Sequence, residues 1–467
     1  MSPGPPPHDD ALSAWLSEHG ARFEDELKGL LRIESVSTDP AYAERLAECA
    51  ERVAADLRAL GVEDVEVVAT PGNPIVVASH VVDPDAPTLL IYGHYDVQPA
   101  DPVELWDSPP FEPTVRDGRL YARGAIDDKG QVHLHLKALE ARLRSGTGLP
   151  VNVKLVIEGE EEIGSPNLAD FLAANAERLA CDAVVVSDTG MLAPGVPTIA
   201  VGLRGIAYLE VHVEGPKGDL HSGEYGGAVV NPANALASIV AALKDDDGRV
   251  AIPGFYDAVR PVTDADREQL AALPHSEDEL LSETGAPALG GEAGYSALER
   301  IGFRPTLDVN GLLSGYTGEG AKTVLPAKAM AKISMRLVPD QDPTEIERLF
   351  TEHVKSLAPE GVRVTIRPHH GGLPWAADPK HPVFEAAARA LRKTFGRDPV
   401  YVREGGSIPI IPLFERTFGA PVVLLGFGLP GSNLHAPNEW IDLATYHQGI
   451  ETVARFYDEV ALVGRAS

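Results

Sequence analysis

Four short apolar runs, each ending at or close before acidic or histidine residues, constrain the fold of this chain more than any other feature. They are Thr88–Tyr92, Val151–Ile157, Ala183–Val186 and Val422–Leu425. Their continuous Val, Ile and Leu content suits strands buried on both faces, as in a parallel sheet. Helical patterns alternate with them at Gln131–Arg144, Pro166–Leu179 and Ala444–Leu462. This alternation predicts an α/β domain with a mostly parallel sheet and helices on both faces. Residues 11–61 also read as helical, with Leu12, Trp15, Leu16 and later Val53, Leu57 and Leu60 at helical spacing. Gly61 is the expected stop, since glycine often follows a helix end.

The middle of the chain has a different rhythm. Ile206–Glu214 and Ala329–Val338 alternate like half-exposed strands, while Asn234–Leu243 and Pro343–Leu357 read as helices. Between them runs a tract rich in Pro, Asp and Gly, from Asp245 to about Gly294, whose Asp245–Asp247 run reads as a solvated loop. The expected organisation is a catalytic domain in two parts, residues 1–205 and 375–467, interrupted by an α+β insertion at 206–374. At 467 residues the chain is too long for one ordinary domain of roughly 100–200 residues.

Charge excludes one class of partner. There are 40 Lys and Arg against 69 Asp and Glu, a net charge of −29. Nucleic-acid binding needs clustered basic residues to meet phosphate, so none is expected here. Cys49 and Cys181 make no CxxC, which suits a reducing compartment. The Pro-rich start has no basic segment or apolar core, and no apolar run approaches the ~20 residues of a membrane helix. A cytoplasmic protein without a membrane partner is the expectation.

The ends of the apolar runs carry the chemistry. Thr88–Tyr92 leads into Gly93-His94-Tyr95-Asp96, Val151–Ile157 into Glu158-Gly159-Glu160-Glu161-Glu162, and Ala183–Val186 into Ser187-Asp188. Val422–Leu425 leads through glycines to His435, and an acidic pair, Asp127-Asp128, sits in a Gly-flanked turn before a helix. In open α/β sheets, ligands collect outside the carboxyl ends of the strands. Two divalent metals roughly 3.5–4 Å apart can share a carboxylate and a water. Such a centre needs about five His and carboxylate ligands, and a further carboxylate to take a proton from the water. Glu161 and Glu162 suit that division, because neighbouring residues at a strand end point different ways. Asp96, two residues after His94, could orient its imidazole.

These segments, in this order, resemble the co-catalytic metallopeptidase family of carnosinases and cytosolic non-specific dipeptidases. Relatives include carboxypeptidase G, succinyl-diaminopimelate desuccinylase and the aminoacylases. The matching stretches also include Asp219–Gly223, Gly315–Thr323, Met335–Pro339 and Glu404–Pro409, and they run from Gly93 to Glu439. The resemblance implies that Asp127 bridges two metals across a cis Asp127–Asp128 peptide. It implies His94 and Asp188 on one metal, Glu162 and His435 on the other, Glu161 as general base and Asp96 as the partner of His94. Glu160 stands where relatives often have an apolar residue or Met, so which two of the three glutamates act is open. The register of Ile163-Gly164-Ser165 favours Glu161 and Glu162.

The resemblance also makes the insertion a lid that forms a homodimer interface. His221 would then reach the other subunit's site to stabilise an oxyanion, and Arg336 would pair with the substrate carboxylate. Glu404 and Ser407 would line the substrate pocket. The implied reaction is hydrolysis of dipeptides or short peptides by a water activated at two metals. Zinc suits His plus carboxylate ligands, with manganese or cobalt as fitting substitutes. A deacylase of N-acyl amino acids with the same metal centre is the alternative. Gly426-Phe427-Gly428-Leu429-Pro430-Gly431 matches a dinucleotide fingerprint in letters only, since no helix pattern follows it. His133 and His135 are expected to be packing or surface residues of their helix.

Overall fold

A computed structural model describes residues 7–464 apart from 275 and 407, with the side chains of 7–10, 283 and 370 also left aside. Ser407 therefore lies outside the described residues. The chain divides into two compact units: Met1–Val201 with Ala377–Val402 and Leu413–Ser467, and Gly202–Ala376 with Arg403–Pro412. The return segment Arg403–Pro412 groups with the second unit.

The first unit is built on a sheet whose strands run in the order Asp64–Val68, Ile75–His80, Asn152–Glu158, Thr88–His94, Ala183–Val186, Val422–Leu424, Thr198–Leu203. The middle four are mutually parallel, and the flanking strands pair antiparallel. Three of the parallel four are the apolar runs read from the sequence, one longer by two residues, one shifted by one and one shorter by one. The fourth, Ala183–Val186, matches its run end to end and is buried throughout. The flanking strands went unread because they are shorter on apolar residues and Asp64–Val68 is only partly buried. Lys129–Arg144 and Leu443–Val463 are helices with Leu134, Ile450, Val453 and Tyr457 in the main core.

The continuous helix expected over 11–61 is two helices, Pro7–Leu31 and Ala43–Leu60. The break between them is anchored by tertiary contacts. The Ser35 hydroxyl donates to the Tyr95 carbonyl at 2.6 Å, and Val36 bridges to Val97. Gly61 closes the second helix with φ +89°, as its sequence position suggests. The Pro166–Leu179 pattern likewise splits, into Leu168–Ala174 and Ala176–Leu179.

The second unit holds an antiparallel sheet in the order Thr306–Ser314, Lys328–Leu337, Gly205–Glu214, Arg363–Gly372. Gly205–Glu214 and Lys328–Leu337 alternate buried and part-exposed residues, the period-2 pattern of a sheet with one covered face. Helices Pro232–Ala241 and Pro343–Ser356 cover it through Leu236, Ile239, Ile346 and Phe350. The Pro-, Asp- and Gly-rich tract contains two further helices, Asp264–Ala271 and Glu277–Thr284. Each begins with a capping box, Thr263 with Asp266 and Ser276 with Glu279, which is a helix-start signal legible in sequence. No helix among the described residues is long and apolar enough to cross a membrane.

Candidate metal centre

Five residues at the ends of the parallel strands and their connections form two overlapping groups. His94, Asp127 and Asp188 make one; Asp127, Glu162 and His435 make the other. Asp127 is common to both, and its two oxygens face different ways. Oδ1 lies 3.2 Å from His94 Nε2, while Oδ2 lies 2.8 Å from His435 Nε2. Asp188 Oδ2 is 3.9 Å from His94 Nε2, and Glu162 Oε2 is 3.3 Å from His435 Nε2. The Asp127–Asp128 peptide is cis.

Each side chain is set by its backbone. His94 is the last residue of its strand and is fully buried. Its Nδ1 sits 3.1 Å from the Asp96 carbonyl and 3.3 Å from Asp96 Oδ1, which leaves Nε2 aimed at the two carboxylates. The Asp96 carboxylate also accepts from the backbone N–H of Glu161 at 3.2 Å and of Glu162 at 3.1 Å. One buried carboxylate thus joins the His94 strand end to the turn that carries both glutamates. His435 is presented differently. Its side chain is 56% exposed, and it stands at φ +58° in a turn where Asn433 and Asn438 are also left-handed.

The three consecutive glutamates separate cleanly. Glu160 is buried and turned away, accepting from the Asn73 N–H at 3.0 Å and from Asn167 Nδ2 at 2.8 Å. Glu162 accepts from Gln98 Nε2 at 2.7 Å and faces His435. The Glu161 carboxylate accepts no hydrogen bond from the described residues, and burial raises its pKa. The register favoured from Ile163-Gly164-Ser165 agrees with this sorting.

The electrostatics call for a cation. Burial, then the neighbouring Asp127 and Asp128, push the Asp188 carboxyl well above its ordinary range. Burial and Asp127 take Glu162 up to about 8. The hydrogen bond to Asp127 lifts His435 to about 9. His94 is buried, which opposes its charge, yet Asp127 and Asp96 outweigh that and raise its pKa well above normal. His94 Nε2 is nonetheless a buried polar atom without a hydrogen-bond partner. Such an orphan costs about 1–3 kcal/mol unless something satisfies it. Imidazole nitrogen and carboxylate oxygens crowded in one buried place are the donor set of a divalent cation, so the residues fit two metals.

A family model described as peptidase family M20/M25/M40 matches residues 90–459. The chain belongs to this family. It is 34% identical to a Cys-Gly metallodipeptidase of Schizosaccharomyces pombe, over 97% of this chain and 98% of that one. The crystal structure of human carnosine dipeptidase 1 superposes with a TM-score of 0.87 at 30% identity, covering 98% of this chain and 100% of that one. An M20 metallo-carboxypeptidase of Sulfolobus solfataricus gives a TM-score of 0.84 at 35% identity, covering 94% and 99%.

His221, Arg336 and Glu404 of this M20 chain lie in the second unit. His221 is exposed and caps the short helix Ser222–Tyr225, its Nδ1 accepting from the Gly223 N–H at 3.1 Å. Arg336 is half-buried on the strand Lys328–Leu337, where burial lowers its pKa against the opposing pull of Asp308. Glu404 ends the strand Val400–Glu404 and is partly buried. His133 and His135 are both buried, so the surface option fails for them: His133 bonds the Tyr446 hydroxyl and His135 the Ser187 hydroxyl, each at 2.7 Å. No helix starts at the Gly426–Gly431 turn. A Cβ at Gly426 would stand 2.2 Å from the Thr189 backbone, so this glycine lets the His435 segment pass close to the Asp188 loop. Sequence reasoning gave no role to Gln98, Gln131, Arg123 or Glu439. Gln98 and Arg123 sit in the stretches Gly93–Pro99 and Arg123–Gly130, which also carry the family resemblance, and Glu439 ends the matched span, the only signal that could have found those three; Gln131 follows directly on Gly130.

Proposed function

We propose that this chain is a dipeptidase that hydrolyses the amide bond of dipeptides or short peptides at a two-metal centre. The observation that carries the reading is the division of the Asp127 carboxylate between His94 and His435, with the unbonded Glu161 on the adjoining turn. On this reading His94 and Asp188 hold one metal, Glu162 and His435 the other, and Asp127 both. Two divalent cations held by these residues would supply Lewis acidity, making a water nucleophilic at neutral pH and polarising a carbonyl. Zinc is the metal we favour, with manganese and cobalt also suited to the ligands.

Glu161 takes the water's proton on its carboxylate and delivers it to the leaving amine. Its raised pKa helps both transfers, because an acid–base group works best near the operating pH. Asp96 keeps the His94 ring in place and ties the Glu161 turn to it. Arg336 holds the C-terminal carboxylate of the substrate, a contact that the likeness to a carboxypeptidase and to dipeptidases supports. Glu404 is assigned to the substrate pocket on the same resemblance. His221 of one subunit serves the oxyanion in the other subunit's site.

A panel of free dipeptides beside N-acyl amino acids tests the reading, on metal-stripped protein and again after zinc or manganese is restored. Metal-restored cleavage of dipeptides is expected. Cleavage of the acylated compounds alone would make the chain a deacylase with the same metal ligands, and cleavage of neither would sink both readings.

The homodimer is part of this proposal. Thr306–Ser314 is an edge strand of the second unit's sheet, and Val309, Leu312 and Leu313 on it are exposed. An open apolar edge is a template for pairing with a second copy. Sedimentation equilibrium that returned only the 49.7 kDa of one chain would count against it. We place the protein in the cytoplasm on its free cysteines, Cys49 and Cys181, which cell fractionation checks.

A further inference from the structure

The loop that carries Asp127 is held from two sides by side chains outside the ligand set. Glu439 is fully buried, four residues beyond His435. Its Oε2 accepts from Arg123 Nη1 at 2.7 Å and from the Gly124 N–H at 3.0 Å. Its Oε1 accepts from the Ile126 N–H at 2.9 Å and the Asp127 N–H at 3.2 Å. The Glu439 carbonyl also accepts from the Ala122 N–H at 3.1 Å. A single residue of the His435 segment therefore binds almost the whole Ala122–Asp127 loop.

Gln131 grips the same loop from the other side. It is 2% exposed, and its Nε2 donates to the Ile126 carbonyl at 3.2 Å and to the Thr189 carbonyl at 3.3 Å. Its Oε1 accepts from the Phe427 N–H at 2.8 Å. Ile126 is thus pinned by its N–H to Glu439 and by its carbonyl to Gln131. Thr189 is the residue after Asp188, so Gln131 links the Asp127 loop to the Asp188 loop. Glu439 links it to the turn that presents His435, a segment that Gln131 reaches only further back, at Phe427.

We propose that Glu439 and Gln131 are positioning residues that set the two halves of the metal centre separately. Glu439 fixes Asp127 against His435, and so governs the half formed with Glu162. Gln131 fixes Asp127 against Asp188, and so governs the half formed with His94. The His435 half depends on its brace most. That imidazole is largely exposed and stands on a left-handed backbone, so besides its ion pairs with Asp127 and Glu162 it is held by the turn's own bonding. The chemistry of each brace admits no near substitute. Both Glu439 oxygens meet two donors, so whichever way an amide is turned, its NH2 faces N–H groups. Gln131 needs a donor for two carbonyls and an acceptor for one N–H, which neither a carboxylate nor an apolar chain supplies.

This inference rests on the two-metal reading, and a competition titration of zinc against a chromophoric chelator tests both. Wild-type protein, Glu439→Gln and Gln131→Met are compared as full chains, with thermal melts of the metal-free proteins alongside. Each variant is expected to lose about 10–100-fold affinity at one metal and to keep the other within about threefold. Adding His435→Ala to Glu439→Gln then weakens only the metal already weakened and spares the other, whereas adding Asp188→Ala weakens the second as well. Gln131→Met shows the reverse dependence. Should either variant fail to yield folded protein, Arg123→Lys for the Glu439 arm and Gln131→Asn for the other must show the same split in milder form. Equal weakening of both metals, or none, overturns the brace and leaves the two-metal reading standing. Wild-type protein that takes up fewer than two metals overturns both.

Discussion

Glu161→Ala keeps both metals and loses turnover. The expected fall in kcat is about a hundred- to ten-thousand-fold, the usual contribution of a positioned acid–base group, or about 3–5 kcal/mol at 1.36 kcal/mol per decade. The reasoning starts from what Glu161 does not do. Its neighbours Glu160 and Glu162 are committed, one to Asn73 and Asn167, the other to Gln98 and the His435 side of the centre. Glu161 alone among the three has a carboxylate free of hydrogen bonds from the described residues. Its backbone N–H is held by Asp96, so the alanine variant keeps the turn and with it Glu162. Steady-state kinetics on a dipeptide, with metal content measured on the same sample, separates the outcomes. Loss of metal together with turnover would make Glu161 a ligand, and near-normal turnover would pass the proton transfer to another group.

Asp127→Ala abolishes binding of both metals, where loss of any other ligand is expected to spare one. Asp127 is the only residue common to the two groups, and each of its oxygens faces a different histidine. Catalysis then falls to the level of the metal-stripped wild type. The effect reads out in stability as well. A metal present at a hundredfold excess over its Kd stabilises the folded chain by about 2.7 kcal/mol, and this zinc-dependent rise in melting temperature vanishes in the variant. Asp188→Ala, by contrast, retains a partial rise from the Glu162–His435 half. A full zinc-induced shift in Asp127→Ala, followed by differential scanning fluorimetry, would refute the bridging role.

The site was largely legible in the sequence because its ligands sit at strand ends. A buried parallel strand announces itself by a continuous apolar run, and the first polar residue past it lies at the rim where ligands collect. His94, Asp188 and the Glu160–Glu162 cluster are readable on that ground, and the matched segments around them narrow the family. The helix starts inside the 245–294 tract are legible too, through the capping pairs Thr263 with Asp266 and Ser276 with Glu279, although the tract is rich in Pro, Asp and Gly. The break between Leu31 and Ala43 was less accessible, since it depends on Ser35 and Val36 meeting Tyr95 and Val97, some sixty residues further on.

What the sequence determined by itself was local: which segments are buried strands, where helices begin, which residue types end up beside one another at the rim, and what chemistry such a set can perform. Only tertiary structure supplied the partners that sort the three adjacent glutamates, because Asn73, Asn167 and Gln98 reach Glu160 and Glu162 from elsewhere in the chain. It alone made Glu439 and Gln131 more than ordinary polar residues, since the bonds that define them span as many as 316 positions. Hydrophobic periodicity is a property of neighbours along the chain and can be read there. A hydrogen bond depends on direction and a few tenths of an ångström between groups that only folding brings together, so its partners cannot be read from spacing.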